Sequence, residues 1–428
     1  MWKSASWLTV VALALGIAAG AAINAWAKGL IPAAETFESV GALWLNALRM
    51  TVIPLVFSLL VTGIASVADA AATGRLAART ILVFIVLLVI ATVYACIASP
   101  VALTLWPVDP DAAAAFVAGA GAKPVEAATP PGFGEWLAAL APNNPVSAAA
   151  EGAILPLTVF AVFFGFAATR LPAEQREPMV GFFRTVGDTM IVIVRWVLLA
   201  APVGVFALSL GVGLRSGLGA AGVLLQYIVI AILVTVGITI IAFLFAILWG
   251  RIGPGRFLSA SAPVLAVAFS TQSSLASLPL MVERARDAMN VPAPVANLVL
   301  PLAVAVFRIT SPVTNLAVVF FVAAVHGIHP GLGTIFNAGV VAIAISIGTV
   351  GLPGQVSFIA SVGPICLAMG VPLDVLGILL AVEVAPDIFR TVGNVTGDLA
   401  ATVIANRSTD HPAQAPADEP LAPPQAPR

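Results

Sequence analysis

Charge is what this chain has least of. Only 9% of its 428 residues are Asp, Glu, Lys or Arg, while 60% are hydrophobic. A soluble domain carries about 25% charged residues. A mean hydropathy of +1.07 cannot be wrapped in a water-facing surface, so the chain reads as an all-α polytopic membrane protein. Histidine and cysteine are scarce too, at three and two residues. Cys96 and Cys366 lie in separate apolar segments and read as buried thiols, not a disulfide or a metal pair. His326 and His329 share a loop, and no zinc spacing arises. There is no Ser-His-Asp set, and "GAGAK" (119–123) lacks the phosphate-loop pattern. An enzyme and an ATP-driven pump are therefore not expected, so any pumping draws on a gradient. The formal net charge of −1 gives no footprint of a nucleic-acid partner.

What is abundant is apolar sequence in long runs. A spanning helix needs about 20 apolar residues. Expected spans are 7–27, 40–66, 81–106, 153–169, 186–212, 221–250, 293–325 and 371–405. Two further stretches, 257–290 and 333–369, are interrupted by "STQSSLAS" and "GLPGQ". Each half is short for a crossing, so both read as re-entrant helical hairpins, a backbone tolerated at membrane depth only inside protein or beside water. The first segment also resembles a secretory signal, with Lys3 ahead of an apolar run and "AWA" behind it. The charge distribution favours keeping it as a span.

Lys and Arg set the orientation. With the N-terminus inside, the inner loops hold Lys3, Arg75, Arg79, Arg170, Arg176, Arg184, Arg251, Arg256, Arg284, Arg286 and Arg407. The outer loops hold only Lys28, Lys123 and Arg215. Both termini are then cytoplasmic, the 107–150 loop is long and external, and the Pro- and Ala-rich tail is expected to be disordered.

The exception to the apolar rule is "EVAPDIFRTVGNVTGD" (383–398). On a helix, Glu383, Asp387, Arg390, Thr391, Asn394 and Asp398 fall in one stripe about 100° wide. Such a face cannot look at lipid, and ionisable groups inside a span mark function by default. A salt-bridge ladder such as Asp387 to Arg390 would only glue helices. Three acids against one base leave negative charge over, which suits binding a cation or an amine. A guanidinium suits gripping a carboxylate with two parallel bonds.

"DIFRTVGNVTGD" resembles the last-helix motif of the dicarboxylate/amino acid:cation symporters, the glutamate transporter family. "FSTQSSLASLP" (269–279) is similar to the tip of that family's first hairpin, and "SIGTVGLPGQ" (346–355) to its second. "APNNPVSAAAEGAILPLTVFAVFFG" (141–165) resembles the start of helix 4, and "LRMTVIPLVFSLLVTGIAS" (48–66) resembles helix 2. The resemblance covers about residues 5–406. It implies eight transmembrane helices plus two re-entrant hairpins with inverted repeats, in a prokaryotic inner membrane, as a homotrimer whose transport domains move like elevators. The implied division is 1–79 (scaffold helices 1–2), 80–106 (transport-domain helix 3), 107–152 (outer loop and start of helix 4), 153–218 (scaffold helices 4–5), 219–406 (transport domain) and 407–428 (tail).

Carried over residue by residue, the resemblance implies that Asp387 receives a substrate amine and Arg390 a distal carboxylate. Thr391 and Asn394 add hydrogen bonds. Ser273 and Ser274 meet the main carboxylate, and backbone around Gly351 and Gly354 closes a gate. Asp398, with Asn394, implies a sodium site. Helix 7 departs from the pattern. The family's Asn-Met-Asp-Gly-Thr falls on Phe307, Arg308, Ile309, Thr310 and Ser311, so two cation ligands are gone and an arginine has arrived. The helix 3 ligands fall on Ala95, Ala98 and Ser99, and a common arginine of the first hairpin is Gln272. A break near Pro312 is still expected, with Thr314 and Asn315 as partial substitutes. Arg308 is expected to stand in for a bound cation, pairing with Asp398 or with substrate, rather than snorkelling. Protons could then couple through Glu383, Asp387 or Asp398.

The expected function is secondary transport of aspartate, glutamate or a C4-dicarboxylate. The expected coupling ion is Na+ or H+, with no organic cofactor. The alternatives are sodium-independent or proton-coupled exchange, a transport-deficient sensor, and an ion channel, for which nothing builds a continuous pore.

Overall fold

The computed structural model describes residues 2–72, 74–120, 138, 141–216, 219–348 and 354–407. Gly351 and the tail after Arg407 lie outside the described residues. All described regular structure is helical. In chain order we number α1 (Trp2–Trp26), α2 (Ile31–Arg49), α3 (Val52–Ala72), α4 (Arg75–Leu105) and α5 (Pro110–Gly119). Next come α6 (Pro145–Ala150), α7 (Ile154–Ala168), α8 (Ala173–Leu199), α9 (Ala201–Ser216) and α10 (Gly219–Leu248). The remainder are α11 (Pro254–Thr271), α12 (Ser274–Asp287), α13 (Ala293–Val306), α14 (Thr310–Val325), α15 (Leu332–Gly348), α16 (Gly354–Met369), α17 (Leu376–Val382) and α18 (Val384–Arg407).

By length and composition, five spans among the described residues can cross a membrane: Leu8–Trp26, Lys28–Asp69, Arg75–Leu105, Gly219–Leu248 and Ala293–Val325. The pair α8–α9, bent by 60°, makes a sixth. The expected eight are thus not all recovered on this measure. The reasons are physical: α7 is only 15 residues long, and α18 carries the charged stripe. The expected external loop also contains α5, capped by Asp109, which accepts from Ala112 N–H.

Packing falls into two groups. In one, α9 lies along α1 and α2, and α3 lies along α7 and α8. Close approach of α1 to α9 depends on small residues, as helix pairs in lipid require. A Cβ on Gly16 would collide with Ser209 Oγ, and one on Gly213 with the Ile17 carbonyl. Glu38 of α2 ties this group together, taking Arg215 of α9 in two parallel bonds of 3.0 Å each.

In the other group, α18 packs on α10, α11 and α13, and α14 packs on α4 and α10. Helix α14 is buried on every side except at Ala324, its apolar C-terminal run packed in the core and its polar first turns facing the other helices of this group. The outward rows Leu82, Val86, Val89 and Val93 of α4, and Leu225, Leu233, Ile240 and Leu244 of α10, are exposed and apolar. In a bilayer, lipid covers such rows.

Two helix pairs turn back on themselves. α11 packs on α12, and α15 on α16. Between α11 and α12, Gln272 adopts the left-handed conformation (φ 54°) and closes α11 by donating its N–H to the Ala268 carbonyl. Ser273 then caps α12, its hydroxyl accepting from Ala276 N–H at 3.2 Å. A polar cap at each side of the turn satisfies backbone groups that two helix ends would otherwise leave bare.

Candidate functional site

The site forms where α18 meets a break between α13 and α14. α13 ends at Val306, and Phe307 is extended (φ −124°, ψ 123°). Its ring stacks on Phe84 of α4 at 4.6 Å between centroids. The break lies at Phe307–Ile309, just upstream of the expected Pro312. Pro312 sits in the first turn of α14, where a missing N–H costs nothing. Two glycines of α18 make room: a Cβ on Gly397 would stand 2.5 Å from Ile309 Cγ2, and one on Gly393 the same distance from Thr310 Cγ2.

Asn394 reads the open helix end. Its Oδ1 accepts from Thr310 N–H at 3.1 Å and lies 2.8 Å from the Thr310 hydroxyl. The same hydroxyl lies 3.1 Å from the Arg390 carbonyl. These bonds fasten the broken helix to the polar stripe through donors that helix termini leave unpaired.

The stripe is buried as expected. Glu383, Arg390, Thr391, Asn394 and Asp398 are each 6% exposed or less, and Asp387 is half-buried. Its line is interrupted at Glu383, which joins α17 to α18, but Asp387 N–H still donates to the Glu383 carbonyl at 3.0 Å. The Asp387–Arg390 pair of a purely gluing ladder is absent among the described residues. Arg390 instead pairs with Glu383, Nη2 to Oε1 at 3.1 Å, because α18 carries the guanidinium back towards its own N-terminus. The other Glu383 oxygen accepts from the Tyr227 hydroxyl of α10 at 2.7 Å. Arg390 Nη2 also donates to Asn315 Oδ1 at 3.2 Å. Asn315 Nδ2 reaches Ser311 Oγ at 3.4 Å, and Thr314 lies 2.9 Å from the Thr235 hydroxyl. Thr314 and Asn315 are thus committed to neighbours.

Asp398 stands apart. It is 1% exposed, and among the described residues neither carboxylate oxygen has a hydrogen-bond partner. Arg308, half-buried at the break, makes no ion pair among the described residues, so the expected direct pairing with Asp398 is not formed. Asp387, Arg390 and Asp398 are the charged groups near enough to act on it. The guanidinium thus shares the field of the stripe instead of touching one partner.

Of the remaining expected residues, Ser273 and Ser274 are half-buried at the tip between α11 and α12, and Thr391 donates to the Asp387 carbonyl at 3.0 Å. Ser311 lies in the first turn of α14. Gly354 opens α16. Ser99 of α4 is fully buried, its hydroxyl unpartnered among the described residues. Among the described residues no group of three metal-ligating side chains occurs. Sequence reasoning missed Tyr227. Its one signal is that it is one of two tyrosines in the chain. It also missed the contact of His326 Nε2 with Asp374 at 3.1 Å.

A sequence profile of the Sodium:dicarboxylate symporter family matches residues 5–408. The chain belongs to that family. It is 30% identical over 414 residues to the "Proton/glutamate-aspartate symporter" of Escherichia coli (strain K12), covering 94% of this chain and 92% of that one. It is 26% identical over 421 residues to the "Proton/sodium-glutamate symport protein" of Bacillus caldotenax, covering 94% of each. It is 32% identical over 431 residues to the "Neutral amino acid transporter B(0)" of Bos taurus, covering 91% of this chain and 77% of that one. This member of the symporter family is a multi-pass membrane transporter, and the family is one of transporters and not of enzymes.

Proposed function

We propose that this symporter carries an acidic amino acid, aspartate or glutamate, with a C4-dicarboxylate as the close rival. The observation that carries the reading is the buried stripe: a guanidinium at Arg390, a half-buried carboxylate at Asp387 and one at Asp398 that is unpartnered among the described residues. Two of the named relatives are glutamate or glutamate-aspartate symporters, and the third is a neutral amino acid transporter. Asp387 takes the amine and Arg390 the side carboxylate. Thr391 and Asn394 orient the substrate, and the N-terminal turn of α12 with Ser273 and Ser274 takes the main carboxylate. Ser311, Gly354 and Gly351 complete the enclosure.

The coupling ion is the proton. Phe307 and Ile309 offer no side-chain oxygen at the break, and Arg308 puts positive charge in the field of Asp387 and Asp398. A sodium ion there meets repulsion. Arg308 stands in for a cation through that field, without contact. In this reading Asp398, with Asn394 and Ser99 beside it in role, is what remains of the cation site, and Arg308 offsets its charge in place of a bound ion.

The architecture is eight spans and two hairpins, with both termini cytoplasmic, as a homotrimer in a bacterial inner membrane. An elevator movement draws support from the packing. α1, α2, α3, α7, α8 and α9 form the scaffold, and α4 and α10–α18 move. The hairpin α15–α16 presses on α3, whereas Phe269 and Leu275 beside the other hairpin tip are 53% and 69% exposed. That asymmetry fits a state open to the cytoplasm.

The test is uptake of labelled aspartate, glutamate and succinate into sealed proteoliposomes. Each is run with an inward sodium gradient, with an inward proton gradient, and with neither. Proton-driven uptake of an acidic amino acid is expected. Uptake that requires sodium overturns the coupling assignment, and binding without passage makes the chain a sensor.

A further inference from the structure

Three side chains from distant parts of the chain meet where α17 gives way to α18. Glu383 is 1% exposed; its Oε2 accepts from Tyr227, and its Oε1 is held by the ion pair with Arg390 at 3.1 Å without a hydrogen bond. Tyr227 is itself 1% exposed and is brought there by the packing of α10 on α18. Arg390 spends Nη2 on Glu383 and Asn315, and its buried Nε has no partner. The guanidinium that should grip a substrate is thus held by a carboxylate of the protein itself.

An incoming carboxylate must displace that hold. When Arg390 turns to it, Glu383 loses its cation. The groups left facing Glu383 are Tyr227 from α10, a dipole without charge, and Asp387 from its own helix, a charge of the same sign. A carboxylate left unpaired in a dry interior neutralises by taking a proton. Arginine cannot supply it, being permanently protonated.

We propose that Glu383 carries the coupling proton, the substrate's carboxylate and Glu383 taking turns on Arg390. This rests on the reading above that Arg390 binds a substrate carboxylate. The Arg390–Glu383 ion pair opens, and two N–H···O bonds to the substrate form. Glu383 Oε1 takes one proton from water in the open site. Tyr227 keeps donating to Oε2. One negative charge and one proton enter together, so the charge of the cluster is unchanged. On release the substrate leaves, Arg390 returns, and the proton passes to water on the far side. Neither sodium nor the missing helix 7 carboxylate is needed.

The experiment uses the purified full chain in weak buffer with a pH indicator, and L-aspartate, L-glutamate and succinate as probes. Binding is measured by calorimetry and carboxyl protonation by infrared difference spectroscopy. Wild type should take up about one proton per bound probe, with a new protonated-carboxyl band. Glu383→Gln should still bind, take up no proton and lack the band. Binding by wild type without proton uptake, or an unchanged uptake and band in Glu383→Gln, overturns the assignment while leaving the substrate reading intact. Failure of every probe to bind wild type overturns the substrate reading, and the proton carrier with it. Should Glu383→Gln not fold, Tyr227→Phe removes a donor that favours the charged carboxylate. It should move the pH of half-maximal proton uptake upward, and an unmoved midpoint overturns the proposal.

Discussion

Arg390 and Glu383 stand at i+7 and i along one helical line, Nη2 3.1 Å from Oε1, both nearly sealed from solvent. Breaking such a pair from one side leaves an uncompensated charge, at a cost of about 3–5 kcal/mol. Arg390→Met should therefore lower stability by about that much, and adding Glu383→Gln should recover most of it. Neither variant should bind an acidic substrate, with affinity down at least about thirtyfold. Thermal unfolding in detergent and calorimetric titration read the two effects separately. Equal stability of the single and double variants would show that the pair carries no such weight.

Asp398 predicts the opposite sign. Its charge has no partner to lose, so Asp398→Asn should raise the stability of the substrate-free protein by about 1 kcal/mol. Proton-driven uptake should persist, because the coupling proton is assigned to Glu383. A stability loss on substitution would mean that Asp398 has a partner after all.

Arg308→Met tests charge replacement. Removing the guanidinium from the field of Asp387 and Asp398 should weaken acidic substrate binding and make it respond to sodium. Unchanged affinity together with unchanged sodium response would discard the idea.

Much of this was legible from the residues. Periodicity alone placed Glu383, Arg390, Thr391, Asn394 and Asp398 on one buried stripe, because a polar line on an apolar helix has only one place to go. Which acid takes Arg390 was not legible. Both Asp387 and Glu383 lie within its reach along the helix, and the side chain that supports the choice, Tyr227, comes from 156 residues away. The break before α14 was foreshadowed by Pro312, but its site is set by Gly393 and Gly397 on another helix. The conformation of Gln272 likewise depends on two helices meeting, which no local pattern encodes.

His326 supplies a pH prediction just past the end of α14. Burial pulls its imidazole down, but hydrogen bonding to Asp374, the charge of Asp374 and a bond to the Val322 carbonyl outweigh it, so the group is held above its ordinary value. A raised group stabilises fully below its unfolded value of about 6.5, and the benefit is lost as pH rises through the folded one. The melting-temperature gap between wild type and His326→Gln should therefore be widest near pH ~5 and close in alkaline buffer. A gap independent of pH would show that packing alone is at stake.

A cross-link tests the movement. A Cβ built on Gly363 of α16 would lie 3.5 Å from a Val52 methyl of α3. With Cys96 and Cys366 replaced by serine, Val52→Cys with Gly363→Cys should be bridged by mercuric ion and stop uptake, while either single variant keeps working. Undiminished uptake in the bridged pair would rule out relative motion of these helices.

The central helix α14 has almost no side that lipid could touch. Its neighbours arrive unevenly during synthesis: α4 and α10 precede it on the ribosome, while α18 is made last. Until α18 emerges, the Thr310 hydroxyl and Asn315 Oδ1 wait in the membrane without the residues that pair them. A nascent chain halted before α18 thus exposes polar groups that membrane quality control can detect, and a truncated transporter should be degraded before it can leak.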